Sequence, residues 1–262
     1  MINLQVFQQK NKSGQKISMI TCYDYLSACI LDKSDIDAVL VGDSLAMVMH
    51  GHETTIPATV DMMTLHVAAV NRGIKSKPLI ADMPFLAHRK GLTLTMETVD
   101  RFCKSGAQAV KIEGAGDALT DIEYIIRSGV PVMGHLGMTP QSVHQLGGHR
   151  LQGKGQKTAT QLIENAKMLE QAGVFSIVLE MVPSSLGKKI TKAISVPTIG
   201  IGAGVNTSGQ ILVWHDLLGM NPSFKPKFLR TYLDAHYKIL EALNGYCDDV
   251  KNNNFPSKQE SY

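Results

Sequence analysis

Cysteine is scarce in this sequence: Cys22, Cys29, Cys103 and Cys247 are the only four in 262 residues, and no two form a CxxC pair. That excludes a disulfide framework and a clustered zinc knuckle, leaving reduced and mostly packed thiols. Charge of either sign is thin as well. The balance is +3, from 26 basic and 23 acidic residues, too small to argue for a nucleic-acid partner or an anionic membrane surface. No apolar run approaches the roughly 18 residues of a membrane span, and the opening MINLQVFQQKNKSGQK lacks the apolar core of a signal peptide. The expectation is a cytoplasmic protein with small-molecule partners, no nucleic acid and no membrane.

What the chain does have is a repeating order of short β-rich runs. They fall at 17–24, 37–43, 77–85, 109–114, 130–137, 175–183, 196–204 and 210–216. Between them lie segments with apolar residues at helical spacing, such as TVDMMTLHVAAVNRG, DALTDIEYIIRSG and TATQLIENAKMLEQAG. Alternating strand and helix implies parallel pairing through right-handed crossovers. Eight such units in one chain of this length predict an α/β fold, a single (β/α)₈ TIM barrel. The barrel domain is expected over residues 1–247, ending in a terminal helix over 221–246, with a polar, flexible tail at 248–262.

Acids gather where the runs end, which in such a barrel is the catalytic face. Asp43 closes AVLVGD, Asp82 lies in LIADMPF, Glu113 closes AVKIEG and Glu180 interrupts SIVLEMV. Each taken alone is as readily a helix cap or solvated loop residue as a site residue. Together they need a compensating cation, because a lone ionised carboxylate in a barrel interior costs several kcal/mol. Asp43, Asp82 and Glu113, with no clustered Cys or His, describe a hard oxygen site for Mg²⁺ or Mn²⁺. Strand alternation puts Lys111 on the face of Glu113, where it offers a positive charge to an anionic substrate or simply pairs with Glu113. Glu180, between Leu179 and Met181, is expected in apolar surroundings that raise its pKa towards that of a general base. A structural ion pair is the other reading.

Further features carry less weight. His135, at the end of VPVMGHLG, reads as a site neighbour or as a packed histidine. The glycines of GIGAGVNTSGQ follow GxGxG, not the dinucleotide spacing, so a tight turn at the barrel mouth is expected. The stretch HQLGGHRLQGKGQK, with Arg150 and Lys154, reads either as a lid over an anion or as a plain surface connection.

Taken together, TCYDY (21–25), VGDSLAMVMHGHETTIPATVDMM (41–63), LIADMPF (79–85), AVKIEGA (109–115), GHLGMTPQSVHQLGGHRLQGK (134–154), LEMVP (179–183) and IGIGAGVNTSGQILVWHDLLG (199–219) closely resemble the ketopantoate hydroxymethyltransferase family. The resemblance implies a barrel of the phosphoenolpyruvate/pyruvate type, Mg²⁺ held by Asp43, Asp82 and Glu113, and a keto acid contacted by Asp43, Ser44, Asp82 and Lys111. It also implies Glu180 as proton acceptor, 5,10-methylenetetrahydrofolate as co-substrate, 3-methyl-2-oxobutanoate as acceptor and a cytoplasmic homodecamer. Ser208 stands where the family commonly has Asp, which removes a charge expected near the mouth. AHRKGLTLTMETVDRF matches only loosely. A metal-dependent 2-oxo acid lyase or aldolase on the same barrel, and a non-catalytic anion-binding barrel, are the alternatives; use of the folate distinguishes the first, turnover the second.

Overall fold

The eight runs pair in sequence order into a closed parallel barrel, β1 to β8, in which β8 returns to β1. The structure, a computed structural model, describes residues 4–262. The strands are β1 Ile17–Thr21, β2 Ala38–Val41, β3 Leu79–Asp82, β4 Ala109–Glu113, β5 Val132–Gly137, β6 Ser176–Glu180, β7 Thr198–Ile201 and β8 Gly209–Leu212. Each is shorter than its apolar run, because the runs continue into the turns at the strand ends.

After α1 Gln5–Ser13, the helices of the barrel are α2 Tyr25–Asp32, α3 Leu45–Val48, α4 Val60–Gly73, α5 Leu92–Lys104, α6 Ala118–Arg127, α7 Gln156–Gln171 and α8 Ser184–Ala193. Local chemistry explains their starts. Thr59 accepts the Met62 N–H at 3.1 Å to cap α4, and Asp24 accepts the Ser27 N–H at 2.9 Å to cap α2. On α4 the buried Met63, Val67 and Val70 recur at helical spacing and turn one stripe to the barrel.

Two departures from the expected pattern matter. First, β7 and β8 are joined by residues 202–208 without a helix; Ala203 and Thr207 are fully buried in that connection. Second, α1 was not anticipated from a segment as polar as QVFQQKNKS. Its Phe7 is fully buried among inward-facing Ile17, Met19, Ala38, Ile80, Ala109, Met133 and Ile199, and meets Phe175 edge-on at 5.1 Å. The helix therefore plugs the amino-terminal end of the barrel.

The chain divides into two compact units, one ending at Val213 and the other beginning at Trp214. In the second unit α9 spans Trp214–Leu217 and α10 spans Ala235–Lys251. The predicted terminal helix thus occupies only the later part of 221–246, and it runs on into the segment read as tail. Tyr237, Leu240, Leu243 and Tyr246 are exposed along α10.

Candidate active site at the carboxyl ends of the strands

Strand alternation sorts the barrel interior by height. On β4, Ala109 joins the apolar core below, while Lys111 and Glu113 rise on the same face above it. Asp82 ends β3, Glu180 ends β6 and His135 lies inside β5. Asp43 follows β2 by two residues, with Ser44 next to it. Asp43, Asp82, Lys111, Glu113 and His135 are all buried, the most exposed being Glu113 at 6%.

Register decides the pairing. Asp82 and Lys111 are cross-strand partners, and Lys111 Nζ lies 2.7 Å from Asp82 Oδ1 but 3.9 Å from Glu113 Oε1. The expected Lys111–Glu113 partnership is therefore secondary: neighbours two apart along one strand are farther from each other than residues facing across a ladder. His135 stands opposite Glu113 in the register, its Nδ1 3.4 Å from Glu113 Oε1 and 3.3 Å from Lys111 Nζ. Its Nε2 lies 3.3 Å from Glu180 Oε2. An ammonium only donates, so Nδ1 is the acceptor and the imidazole proton sits on Nε2, facing Glu180. Burial, then the charge of Lys111, lowers the pKa of His135 against the pull of Glu180, which keeps that neutral tautomer.

Three carboxylates share this space with one lysine. Burial, then Asp82 and Glu113, pushes Asp43 well above the usual carboxylate range. Burial raises Asp82 despite Lys111, and burial raises Glu113 to about 7. Burial alone would lower Lys111, but Asp82, Glu113 and Asp43 hold it above its ordinary value. Glu180 differs from the others. Its side chain is 17% exposed, Leu179 beside it is fully buried, and the close partner of its carboxylate is His135. The apolar sequence around it lies on other faces of the strand end, so the apolar setting expected for this carboxylate is not what its contacts provide.

Comparison with known proteins bears directly on this constellation. A family profile for ketopantoate hydroxymethyltransferase matches residues 1–258. The chain is 56% identical over 256 residues to the 3-methyl-2-oxobutanoate hydroxymethyltransferase of Bdellovibrio bacteriovorus, covering 98% of this chain and 97% of that one. The chain belongs to the ketopantoate hydroxymethyltransferase family. A second relative, the enzyme of the same name from Legionella pneumophila (strain Paris), is 52% identical over 257 residues, with 98% of each chain covered. The hydroxymethyltransferase barrel also resembles phosphonopyruvate hydrolase (TM-score 0.66, 12% identity, 99% of this chain and 93% of that one). It likewise resembles 2,3-dimethylmalate lyase, a PEP mutase/isocitrate lyase superfamily member (TM-score 0.60, 15% identity, 98% and 91% covered). These two likenesses establish the fold class. The function that follows from the family is that of an enzyme of pantothenate biosynthesis, and no helix among the described residues is long and apolar enough to cross a membrane.

The hydroxymethyltransferase site also contains residues that sequence reasoning passed over. Gln141, in the 3₁₀ turn Pro140–Ser142, is buried and bonds two of the carboxylates; a neutral side chain in a loop gave no signal of its own. The Tyr23 hydroxyl lies 2.7 Å from Ser44 Oγ and fixes that serine beside Asp43. Other predicted positions differ. Arg150 and Lys154 are exposed, in a loop at the carboxyl ends of the strands that the Gln152 N–H anchors on the carbonyl of Met181, next to Glu180, at 2.8 Å. Ser208 is not near the mouth. It immediately precedes β8, so it lies at the amino-terminal end, where its hydroxyl donates to Asn11 Oδ1 of α1 at 2.8 Å.

The donor set suits the divalent ion that the hydroxymethyltransferase resemblance implies. All three acids offer oxygen, and Glu113 Oε1 is buried with no hydrogen bond. Among the described residues no three His, Cys, Asp or Glu side chains already surround a single point. Lys111 instead supplies the positive charge between them.

Proposed function

We propose that this chain carries out the family reaction with 5,10-methylenetetrahydrofolate as donor, 3-methyl-2-oxobutanoate as acceptor and one Mg²⁺ per subunit, in a cytoplasmic homodecamer. Asp43, Asp82 and Glu113 would hold the ion. The observation that carries this reading is three buried carboxylates facing one lysine, with Glu113 Oε1 left unbonded. A fold neighbour, phosphonopyruvate hydrolase, is known in complex with oxalate and Mg²⁺. When bound, the ion would draw electron density from the oxygens of a 2-oxo acid.

The side chains then divide the work. Lys111 and Ser44 bind the acid's carboxylate, Lys111 by charge and Ser44 by a hydroxyl oriented on Tyr23. Glu180 accepts the proton from C3, with His135 Nε2 3.3 Å from its carboxylate to hold it in place. The C3 carbon bonds to the methylene carbon as that carbon's link to one folate nitrogen breaks; the oxygen of water then displaces the second folate nitrogen, and the two nitrogens take up the proton from C3 and one from water. Water supplies the hydroxyl, so the products are 2-dehydropantoate and tetrahydrofolate. Burial of Lys111 and His135 keeps bulk water from competing for the carboxylate end. For the assembly, Tyr25, Leu26 and Ile30 on α2 and Tyr237, Leu240 and Leu243 on α10 are exposed apolar side chains suited to subunit contact.

The decisive assay is 2-dehydropantoate formation with and without methylenetetrahydrofolate and with EDTA. Product is expected only with the folate present and EDTA absent. Turnover with an aldehyde donor but not with the folate would instead make this a lyase or aldolase of the same barrel.

A further inference from the structure

Gln141 reaches two of the acids at once. Its backbone N–H donates to Glu113 Oε2 at 3.1 Å, and its side-chain Nε2 donates to Asp43 Oδ2 at 2.9 Å and to the Met83 carbonyl at 2.8 Å. Both hydrogens of the amide nitrogen are used. The opposite amide orientation would set one oxygen against two others, so the orientation is fixed. The residue is 7% exposed, and Pro140 starts the 3₁₀ turn that carries it.

One oxygen of Asp43 and one of Glu113 are thereby occupied. What is left is Glu113 Oε1, buried and unbonded, and Asp43 Oδ1, for which no hydrogen bond exists among the described residues. We infer that Gln141 is a positioning residue that restricts Asp43 and Glu113 to one free oxygen each, and so selects a small octahedral divalent ion over Ca²⁺. This rests on the reading that these acids hold a divalent ion. The physical basis is coordination number: Mg²⁺ takes near-octahedral single-oxygen ligation at about 2.0–2.1 Å, whereas Ca²⁺ takes about 6–8 oxygens and gains from carboxylates that offer both. Gln141 withholds the second oxygen.

The test measures binding to the full-length chain without substrate, using the electron paramagnetic resonance signal of free Mn²⁺ and its displacement by Mg²⁺, Ca²⁺ and Sr²⁺. The wild-type chain should bind Mn²⁺ and Mg²⁺ well and lose affinity progressively for the two larger ions. Gln141→Met keeps the length of the side chain and the backbone bond to Glu113 but removes both amide hydrogens. In it, the preference for Mn²⁺ over Ca²⁺ should fall about tenfold, roughly 1.4 kcal/mol, with far-UV circular dichroism unchanged. A folded Gln141→Met chain with the wild-type preference overturns the inference while leaving the metal reading intact. Should the variant not fold, the wild-type series decides, because equal affinity for Mn²⁺ and Ca²⁺ overturns the inference directly. A wild-type chain that binds no Mn²⁺ overturns both readings.

Discussion

The two ends of the barrel interior are built from the same strands and could hardly differ more. At the amino-terminal end Ile17, Met19, Ala38, Ile80, Ala109 and Ile199 close on Phe7 without a charged group. At the carboxyl-terminal end, two to four residues further along β3 and β4, the same inward direction carries Asp82, Lys111 and Glu113. The apolar end contributes burial free energy, and the polar end is expected to spend some of it on chemistry. Substitutions at the two ends should therefore separate activity from stability.

The largest contrast pairs Glu180→Gln with Phe7→Ala. The first removes the proposed base and should cut turnover by about 10²–10⁴, abolish folate-independent exchange of the C3 proton and leave keto acid binding detectable. Its unfolding midpoint should stay near that of the parent, since the carboxylate is partly exposed and makes one close contact. Undiminished exchange would rule out Glu180 as the base. Phe7→Ala should do the reverse, costing about 3–5 kcal/mol in urea unfolding while kcat/KM, measured well below the midpoint, holds. A large loss of kcat/KM in that variant would mean that the plug also shapes the site.

A second comparison lies between two buried histidines. His135 shares a hydrogen bond between Nδ1 and Lys111 and lies beside Glu113 and Glu180, although its Nε2 has no hydrogen-bond partner, whereas His88 has none at either ring nitrogen. Burial, then the charge of Arg89, lowers His88 to about 4. The unfolded chain titrates this residue near about 6.5. Above that pH both states are neutral and His88 adds no pH dependence. Between pH 6.5 and 4 only the unfolded state takes up the proton, so stability falls as pH falls, by at most about 3 kcal/mol from this residue. His88→Phe, which removes the titration and two unpaired nitrogens, should unfold later than the parent, and its advantage should widen from pH 7 to pH 4. An advantage that is constant with pH would place the His88 proton equilibrium outside the folding transition.

The strands and their terminal acids were legible because both are local signals: β-branched runs bounded by glycine and proline, with an acid at the end. Anything set by register or by distant contact was not. That Lys111 pairs first with Asp82 follows only from the β3–β4 ladder. Helix α1 is hidden because one buried side chain, Phe7, anchors nine mostly polar residues. Gln141 is hidden because its importance lies in the carboxylates it reaches, up to 98 positions away. The helix-free β7–β8 connection was legible in part, since the closely spaced glycines of GIGAGVNTSGQ already read as a turn; the burial of Ala203 and Thr207 within it was not.

Ser208 offers the smallest effect and a direct check on which end is which. Sequence similarity set it near the mouth, whereas it precedes β8 and its hydroxyl donates to Asn11 of α1. Ser208→Ala removes one hydrogen bond between the plug and the barrel and should cost about 0.5–1.5 kcal/mol. It should leave KM for both substrates and the Mn²⁺ affinity unchanged, because parallel strands of this length separate position 208 from Asp82 and Glu113 by the height of the barrel. Asn11→Ala breaks the same bond from the other side and also loses the Asn11 amide donation to the Ser195 carbonyl at 2.9 Å, so its cost should be the larger. In the double variant the two costs should fall short of adding, since the shared bond can be lost only once. Additive costs would show that the serine–asparagine contact contributes nothing, and a shift in KM would return Ser208 to the catalytic face.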